Sequence, residues 1–268
     1  MMRPAVLWSA LLLFSSTGAA QAEKCKPSNP PDAWSAQGTA TPIAATVDPA
    51  AIPRLNLVVF RHAEKPLRDD GLMAEDGNLG AEAEQRLARL PEQLLKDFGC
   101  PDFLVAANPA VKMLNKKTGQ YFNYIRPLAT IEPLSIKLNY PVWTPYGYNQ
   151  NDLLARDLLG DKAFRPNPDG APKTVFLAWE RQNIRKLYQE LVQQGKLKDL
   201  AGATATIDGV DRACDALPQW EQCDFDSVWM IKVRPAGVCL TRRVENLNAA
   251  SFQKQCKGAE SVSDTPRN

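Results

Sequence analysis

Leu55-Asn56-Leu57-Val58-Val59-Phe60-Arg61-His62-Ala63-Glu64-Lys65 is an apolar run that stops abruptly in charge. Short, nearly continuous apolar segments of this length predict a buried strand. His62 is the single histidine of the chain. An arginine beside an imidazole at the mouth of a buried strand suits an anion pocket with a nucleophile or base. Histidine titrates nearest neutral pH, so a neutral nucleophilic form is available there. With one histidine present, chemistry built on a histidine pair is excluded.

Beyond this strand the signals alternate. Glu82 to Phe98 carries Leu87, Leu90, Leu94 and Leu95 at helical spacing, with Pro91 expected to disturb the helix. Phe103 to Ala107 and Thr174 to Trp179 read as further short strands. Ile184, Leu187, Tyr188, Leu191 and Val192 fall on one helix face. Ser227 to Val233 and Gly237 to Thr241 read as a terminal hairpin or neighbouring strands. No internal repeat is evident. The alternation predicts an α/β fold.

Three of these strands deliver polar groups where they stop: Arg61-His62, Asn108, and Glu180-Arg181-Gln182-Asn183. In open α/β sheets ligands bind beyond the carboxyl ends of the strands. Arg126-Pro127 opens another expected helix, since proline suits the first turn and the free N–H groups there attract anions. Any one arginine alone reads best as solvated or paired. Their shared placement predicts that Arg61, Arg126, Arg181 and His62 converge on a dianionic group such as phosphate.

The amino terminus predicts export. Arg3 is followed by an apolar stretch, Val6 to Phe14, too short to span a bilayer comfortably, and then by small residues closing with Ala20-Gln21-Ala22. That order predicts a signal peptide over residues 1–22 and a periplasmic or secreted protein without a stable membrane anchor. An extended lead-in rich in Pro, Ala, Ser and Thr is expected over 23–52, one α/β domain over 53–245, and a C-terminal tail over 246–268. Lys and Arg (32) nearly balance Asp and Glu (30), and no long basic run occurs, which argues against a general nucleic-acid surface. The 6 cysteines of an exported chain predict disulfides. Cys214 with Cys223 and Cys239 with Cys256 are the expected local pairs. The cysteine spacings and lone histidine do not form a zinc ligand set, so no metal or cofactor is expected.

Arg61-His62-Ala63-Glu64-Lys65 resembles the signature of the histidine phosphatase (phosphoglycerate mutase-like) superfamily. The resemblance continues through Asn108-Pro109, Arg126-Pro127-Leu128-Ala129-Thr130-Ile131-Glu132-Pro133, Ala178-Trp179-Glu180 and Asp226-Ser227-Val228-Trp229. It implies a three-layer α/β/α sandwich around a mostly parallel sheet. It also implies that His62 attacks a phosphoryl group and becomes a phosphohistidine, which water then hydrolyses, while Arg61 and Arg126 hold the phosphoryl oxygens. A carboxylate usually protonates the leaving group. Glu64 is the motif carboxylate, and Glu75 and Asp76 are alternatives. Lys65, Asn108, Glu180 and Arg181 are the further residues expected to meet the substrate, a phosphorylated small molecule.

Members of that superfamily commonly read Trp-Glu-His where this chain reads Trp179-Glu180-Arg181, so arginine stands in place of the second active-site histidine. Arginine binds phosphate well through its planar fork of donors, but a misplaced donor forfeits roughly 10²–10³-fold in catalysis. Two functions are therefore expected in competition. One is an exported phosphohydrolase of low or altered activity. The other is an inactive phosphatase-like protein that binds a phosphorylated or anionic ligand. Lys112 to Asn123 and Pro141 to Gln150 read as insertions that would line a specificity pocket.

Overall fold

The computed structural model describes residues 25–31, 34, 54–68, 73, 74, 76–116, 118–247, 252 and 256. The signal-like segment 1–22, most of the lead-in and most of the tail lie outside the described residues. In chain order the elements are β1 (Leu55–Arg61), α1 (Ala83–Phe98), β2 (Phe103–Ala106), β3 (Met113–Leu114), β4 (Tyr121–Phe122), α2 (Arg126–Leu138) and β5 (Val142–Trp143). There follow α3 (Asn151–Gly160), β6 (Lys173–Trp179), α4 (Arg181–Gly195), β7 (Thr204–Ile207), β8 (Val210–Ala213), β9 (Ser227–Arg234) and β10 (Gly237–Val244).

Six strands form one sheet in the order β10-β9-β1-β6-β2-β5. β1, β6, β2 and β5 run parallel, and β9 runs antiparallel to both of its neighbours. Side chains alternate across the sheet with period two. Leu57 and Val59 share one face with Val105, Leu177 and Trp179, and pack on α3 and α4 through Leu154, Leu158, Ile184 and Leu187. Val58 and Phe60 point the other way with Leu104 and Phe176, and pack on α1 and α2 through Leu90, Leu94, Ile131 and Leu134. Apolar layers on both faces explain why β1 reads as a continuous apolar run. The result is an α/β/α sandwich.

Pro91 is accommodated inside α1, which runs unbroken to Phe98. The stretch from Pro141 to Gln150 contributes an edge strand, β5, and leads directly into α3. A two-residue strand shows no period in sequence, so β5 and the β3–β4 hairpin were not legible there.

The expected local cysteine pairs are corrected. The disulfides are Cys25–Cys100, Cys214–Cys239 and Cys223–Cys256. β10 passes beside the end of the β7–β8 hairpin, where Asp215 N donates to Leu240 O at 2.7 Å, and this sets Cys239 against Cys214. The tail then returns Cys256 to Cys223, where both pack with Phe225 and Phe252. The lead-in is stapled at Cys25 and docks through Ser28, whose Oγ donates to Asp102 Oδ1 at 2.7 Å. Among the described residues no helix is long and apolar enough to cross a membrane.

Peptide mapping without reduction should recover these three pairs, and a linked Cys214–Cys223 peptide would contradict them. Cys25–Cys100 closes a loop of sequence separation 75. Replacing both cysteines by serine should lower stability in urea by about 2–4 kcal/mol, because the unfolded chain regains the freedom that the loop removes.

Candidate active site

β1 and β6 stop side by side, with Arg61 in register with Trp179. His62 N donates to Trp179 O at 3.3 Å and carries the pairing one residue further. Beyond these strand ends lies a cavity of about 580 Å³. Its lining includes Arg61, His62, Lys65, Arg126, Glu180 and Arg181, with Lys116 from the β3–β4 hairpin, Tyr148 from the loop before α3, and Lys186 from α4. Six of the eight residues singled out from sequence therefore meet at one place. Glu64 and Asn108 do not line the cavity.

His62 is 2 % exposed. Its Nδ1 lies 2.6 Å from Ala63 O. A carbonyl only accepts, so Nδ1 carries the proton and Nε2 holds the lone pair of the neutral ring. Burial pushes the imidazole well below its usual pKa, and the charges of Arg61, Arg126 and Lys65 add to this. The ring is held edge-on against Tyr124 and Phe225. Ala63 N donates to Thr130 Oγ1, which in turn donates to Arg126 O, so the histidine loop is tied to the first turn of α2.

The two floor arginines are fixed by neutral acceptors. Arg61 Nη1 donates to Gln222 O at 2.5 Å and Asp224 O at 3.0 Å, and its guanidinium stacks on Phe225 at 3.6 Å. Burial and the neighbouring Arg181 push its pKa down to about 9, which leaves it charged at neutral pH. Arg126 donates through Nε to Asn78 O at 2.8 Å and through Nη2 to Ala74 O at 3.0 Å. Asp76 lies 3.5 Å from the same Nη2 but is 46 % exposed and outside the lining, so it screens the charge weakly. Glu75 lies outside the described residues. Arg61 Nε is buried without a hydrogen-bond partner, the bonds that the two guanidinium groups do make go mainly to neutral carbonyls, and their charge stays largely uncompensated, the electrostatics of an anion site.

Glu64 lies behind this floor. Its side chain is fully buried with neither carboxylate oxygen hydrogen-bonded, and burial raises its pKa despite the opposing charge of Arg86. Arg86 is also fully buried, and forms a two-bond pair with Glu245 at 2.9 and 3.1 Å. Its Nη1 donates to Arg61 O at 3.2 Å. Burial pushes Glu245 up to about 7. One guanidinium thus faces three carboxylates, Glu64, Asp226 and Glu245, and the cluster steadies the end of β1 from beneath. Asn108 shapes the turn after β2, where its Oδ1 accepts from Ala110 N at 2.9 Å and its N–H donates to Tyr146 O.

At the end of β6, Glu180 caps α4: its Oε2 accepts from Gln182 N, Asn183 N and Asn183 Nδ2. Trp179 Nε1 donates to Asn151 Oδ1, and Asn151 Nδ2 donates to Asn183 Oδ1, so a buried amide relay holds this strand end. Arg181 Nη1 donates to Trp220 O at 3.3 Å. The Trp220–Phe225 loop was not read from sequence as part of the site, because it acts through backbone carbonyls that any residue type supplies. Cys223 was its one readable mark.

No family model and no curated protein sequence matches the chain. Among solved structures it is similar to a mycobacterial glucosyl-3-phosphoglycerate phosphatase, with 12% identity, 74% of this chain and 100% of that one covered, and a TM-score of 0.35. It is also similar to a protein described as mycobacterial hydrolase 2, with 11% identity, 80% and 99% covered, and a TM-score of 0.33. The fold assignment rests on the sheet order and packing above rather than on these distant likenesses.

Nitrogen NMR of His62 should show an Nδ1–H neutral ring whose protonation midpoint lies below 6.5. A midpoint at or above that value would contradict the buried cationic setting. Because the folded pKa is depressed, the unfolded chain takes up this proton first as pH falls. The wild type should therefore lose stability relative to His62→Gln as pH drops below 6.5. Separately, Arg86→Met should cost about 3–5 kcal/mol in denaturant unfolding by leaving Glu245 buried without its partner. Adding Glu245→Leu should recover part of that loss.

Proposed function

We propose that this protein is an exported phosphohydrolase of the histidine phosphatase type, acting on a phosphomonoester through a phosphohistidine at His62. The observation that carries the reading is a buried neutral imidazole, with its lone pair on Nε2, in a cavity floored by Arg61 and Arg126. The motif resemblance around Arg61-His62 supports the same reading, and three disulfides favour an oxidising compartment. Nε2 attacks phosphorus, the bond to the ester oxygen breaks, and water later cleaves the N–P bond. Arg61 and Arg126 stabilise the charge on the transferring oxygens. Glu180 is the carboxylate among the described lining residues, and its Oε2 is already occupied as a helix cap. As a capping carboxylate Glu180 has no proton to give, so the proton for the leaving oxygen comes from water.

A second reading, a phosphatase-like protein that binds an anion without useful turnover, is favoured by one observation. Arg181 stands where the superfamily commonly has histidine, and its Nη1 is engaged by Trp220 O. Rates with a generic phosphomonoester separate the two. The first reading expects measurable turnover that falls at least about 10³-fold in His62→Ala, with phosphate affinity dropping in Arg61→Ala and Arg126→Ala. It also expects Arg181→His to raise turnover, because the shorter donor meets the phosphoryl oxygens more directly. Phosphate binding without turnover in every variant would instead support the second reading. Unchanged phosphate affinity in both folded arginine variants would remove the site altogether.

A further inference from the structure

We propose that the β3–β4 hairpin is a docking surface for an anionic lipid bilayer, seating Leu114 and Tyr121 among the headgroups and setting Lys112 and Lys116 against lipid phosphates. The inference does not depend on catalysis at His62. Charge is the first reason. Between Asp102 and Glu132 the chain has no Asp or Glu, and the start of the hairpin reads Lys112-Met113-Leu114-Asn115-Lys116-Lys117. Lys112 and Lys116 are exposed, and among the described residues neither forms an ion pair. Asp76 precedes Gly77, on which the foot of the hairpin rests, but it is taken up by Arg126 at 3.5 Å and by Asn78 N at 3.0 Å. Across the cavity, Glu180 is occupied as a helix cap.

Strand pairing sorts the side chains of the hairpin. Met113 opposes Phe122 and Leu114 opposes Tyr121, so the two pairs point to opposite sides of the ladder. The first pair is half-buried and turned to the body. A Cβ added at Gly77 would come within 2.8 Å of Phe122 Cδ2, and one at Gly147 within 2.6 Å of Val111 Cβ, so the foot is seated at two points. The second pair faces outward, with Leu114 41 % and Tyr121 67 % exposed. Of the six large apolar side chains exposed among the described residues, these are two, and Ile125, shortly after β4, is a third. Exposure alternates from Lys112 to Lys116, so the two lysines flank Leu114 on the outer side. The turn is ordered by its own bonds, Asn115 N to Gln120 O and Gly119 N to Asn115 O, both at 2.8 Å.

Size and chemistry choose the occupant. A ladder of two residue pairs offers far less than the roughly 800 Å² a side that a stable protein complex buries. Reversible docking on a bilayer asks less. A few apolar side chains enter at headgroup level, and each nearby lysine strengthens partition onto an anionic surface roughly fivefold. Tyrosine, with an apolar ring and a polar tip, suits that boundary, and lysine lays its stem on apolar surface while its charge stays in water. Leu114 and Lys116 also line the cavity, so docking by this hairpin brings the cavity mouth to the bilayer surface.

Co-sedimentation of the mature oxidised protein with lipid vesicles tests this. At low salt it should bind vesicles of phosphatidylglycerol and phosphatidylcholine in equal parts, stay free of pure phosphatidylcholine vesicles, and come off the anionic ones at high salt. Leu114→Ser/Tyr121→Ser and Lys112→Ala/Lys116→Ala, each checked for folding by circular dichroism, should weaken binding at least about tenfold. Ile136→Ser, which removes an exposed apolar side chain from α2, should leave it unchanged. A wild type that ignores anionic vesicles overturns the inference, as does full binding by either hairpin variant. If the lipid-free protein forms a dimer that Leu114→Ser/Tyr121→Ser breaks, and vesicles are not bound, a second copy of the chain covers the patch instead.

Discussion

Arg61, Arg86 and Arg126 are each at most 2 % exposed, and burying three guanidinium groups, two of them beside one imidazole, constrains everything near them. A buried guanidinium without acceptors would cost several kcal/mol, so the surrounding backbone must bring oxygen atoms to it. The loop at Gln222 and Asp224 does this for Arg61, and the segment at Ala74 and Asn78 does it for Arg126. Arg86 differs because its acceptor is a carboxylate, Glu245. That distinction separates uncompensated charge from support. Carbonyls satisfy hydrogen bonds without cancelling charge, so Arg61 and Arg126 remain attractive to an anion, whereas Arg86 is neutralised and braces the strand end.

The outer parts of the chain serve the same constraint. Cys256 comes back from the tail to Cys223, beside the carbonyls that orient Arg61, and Phe225 from that loop stacks on the guanidinium. Thr130 couples the histidine loop to α2, and the Trp179–Asn151–Asn183–Glu180 relay couples the end of β6 to α3 and α4. Arg61, His62 and Arg126 are therefore each positioned by at least two elements. That over-determination is what a site acting through preorganised charge requires.

His62 keeps its neutral form for the same electrostatic reason that the cavity attracts anions. The cations that would bind a phosphoryl group also disfavour a proton on the ring. Burial, cationic neighbours and the bond from Nδ1 to Ala63 O act together, leaving the ring neutral with its lone pair on Nε2. Arg181 adds charge from the rim of this arrangement with a longer stem than histidine has.

The sequence by itself determined the α/β class, the buried strand Leu55–Arg61, and the delivery of Arg61, His62, Arg126 and Arg181 to strand and helix ends. These are local matters: apolar periodicity, the proline after Arg126, and charge at the end of an apolar run are written in consecutive residues. Tertiary structure alone decided the rest. It turned Glu64 away from the cavity into a buried cluster with Arg86, Asp226 and Glu245, residues far apart in the chain. It paired Cys223 with Cys256 and Cys214 with Cys239 in place of nearer neighbours, because strand order and tail path set which sulfur atoms meet. It recruited the carbonyls of Gln222, Asp224, Ala74 and Asn78, groups common to every residue and so invisible to any pattern of side chains.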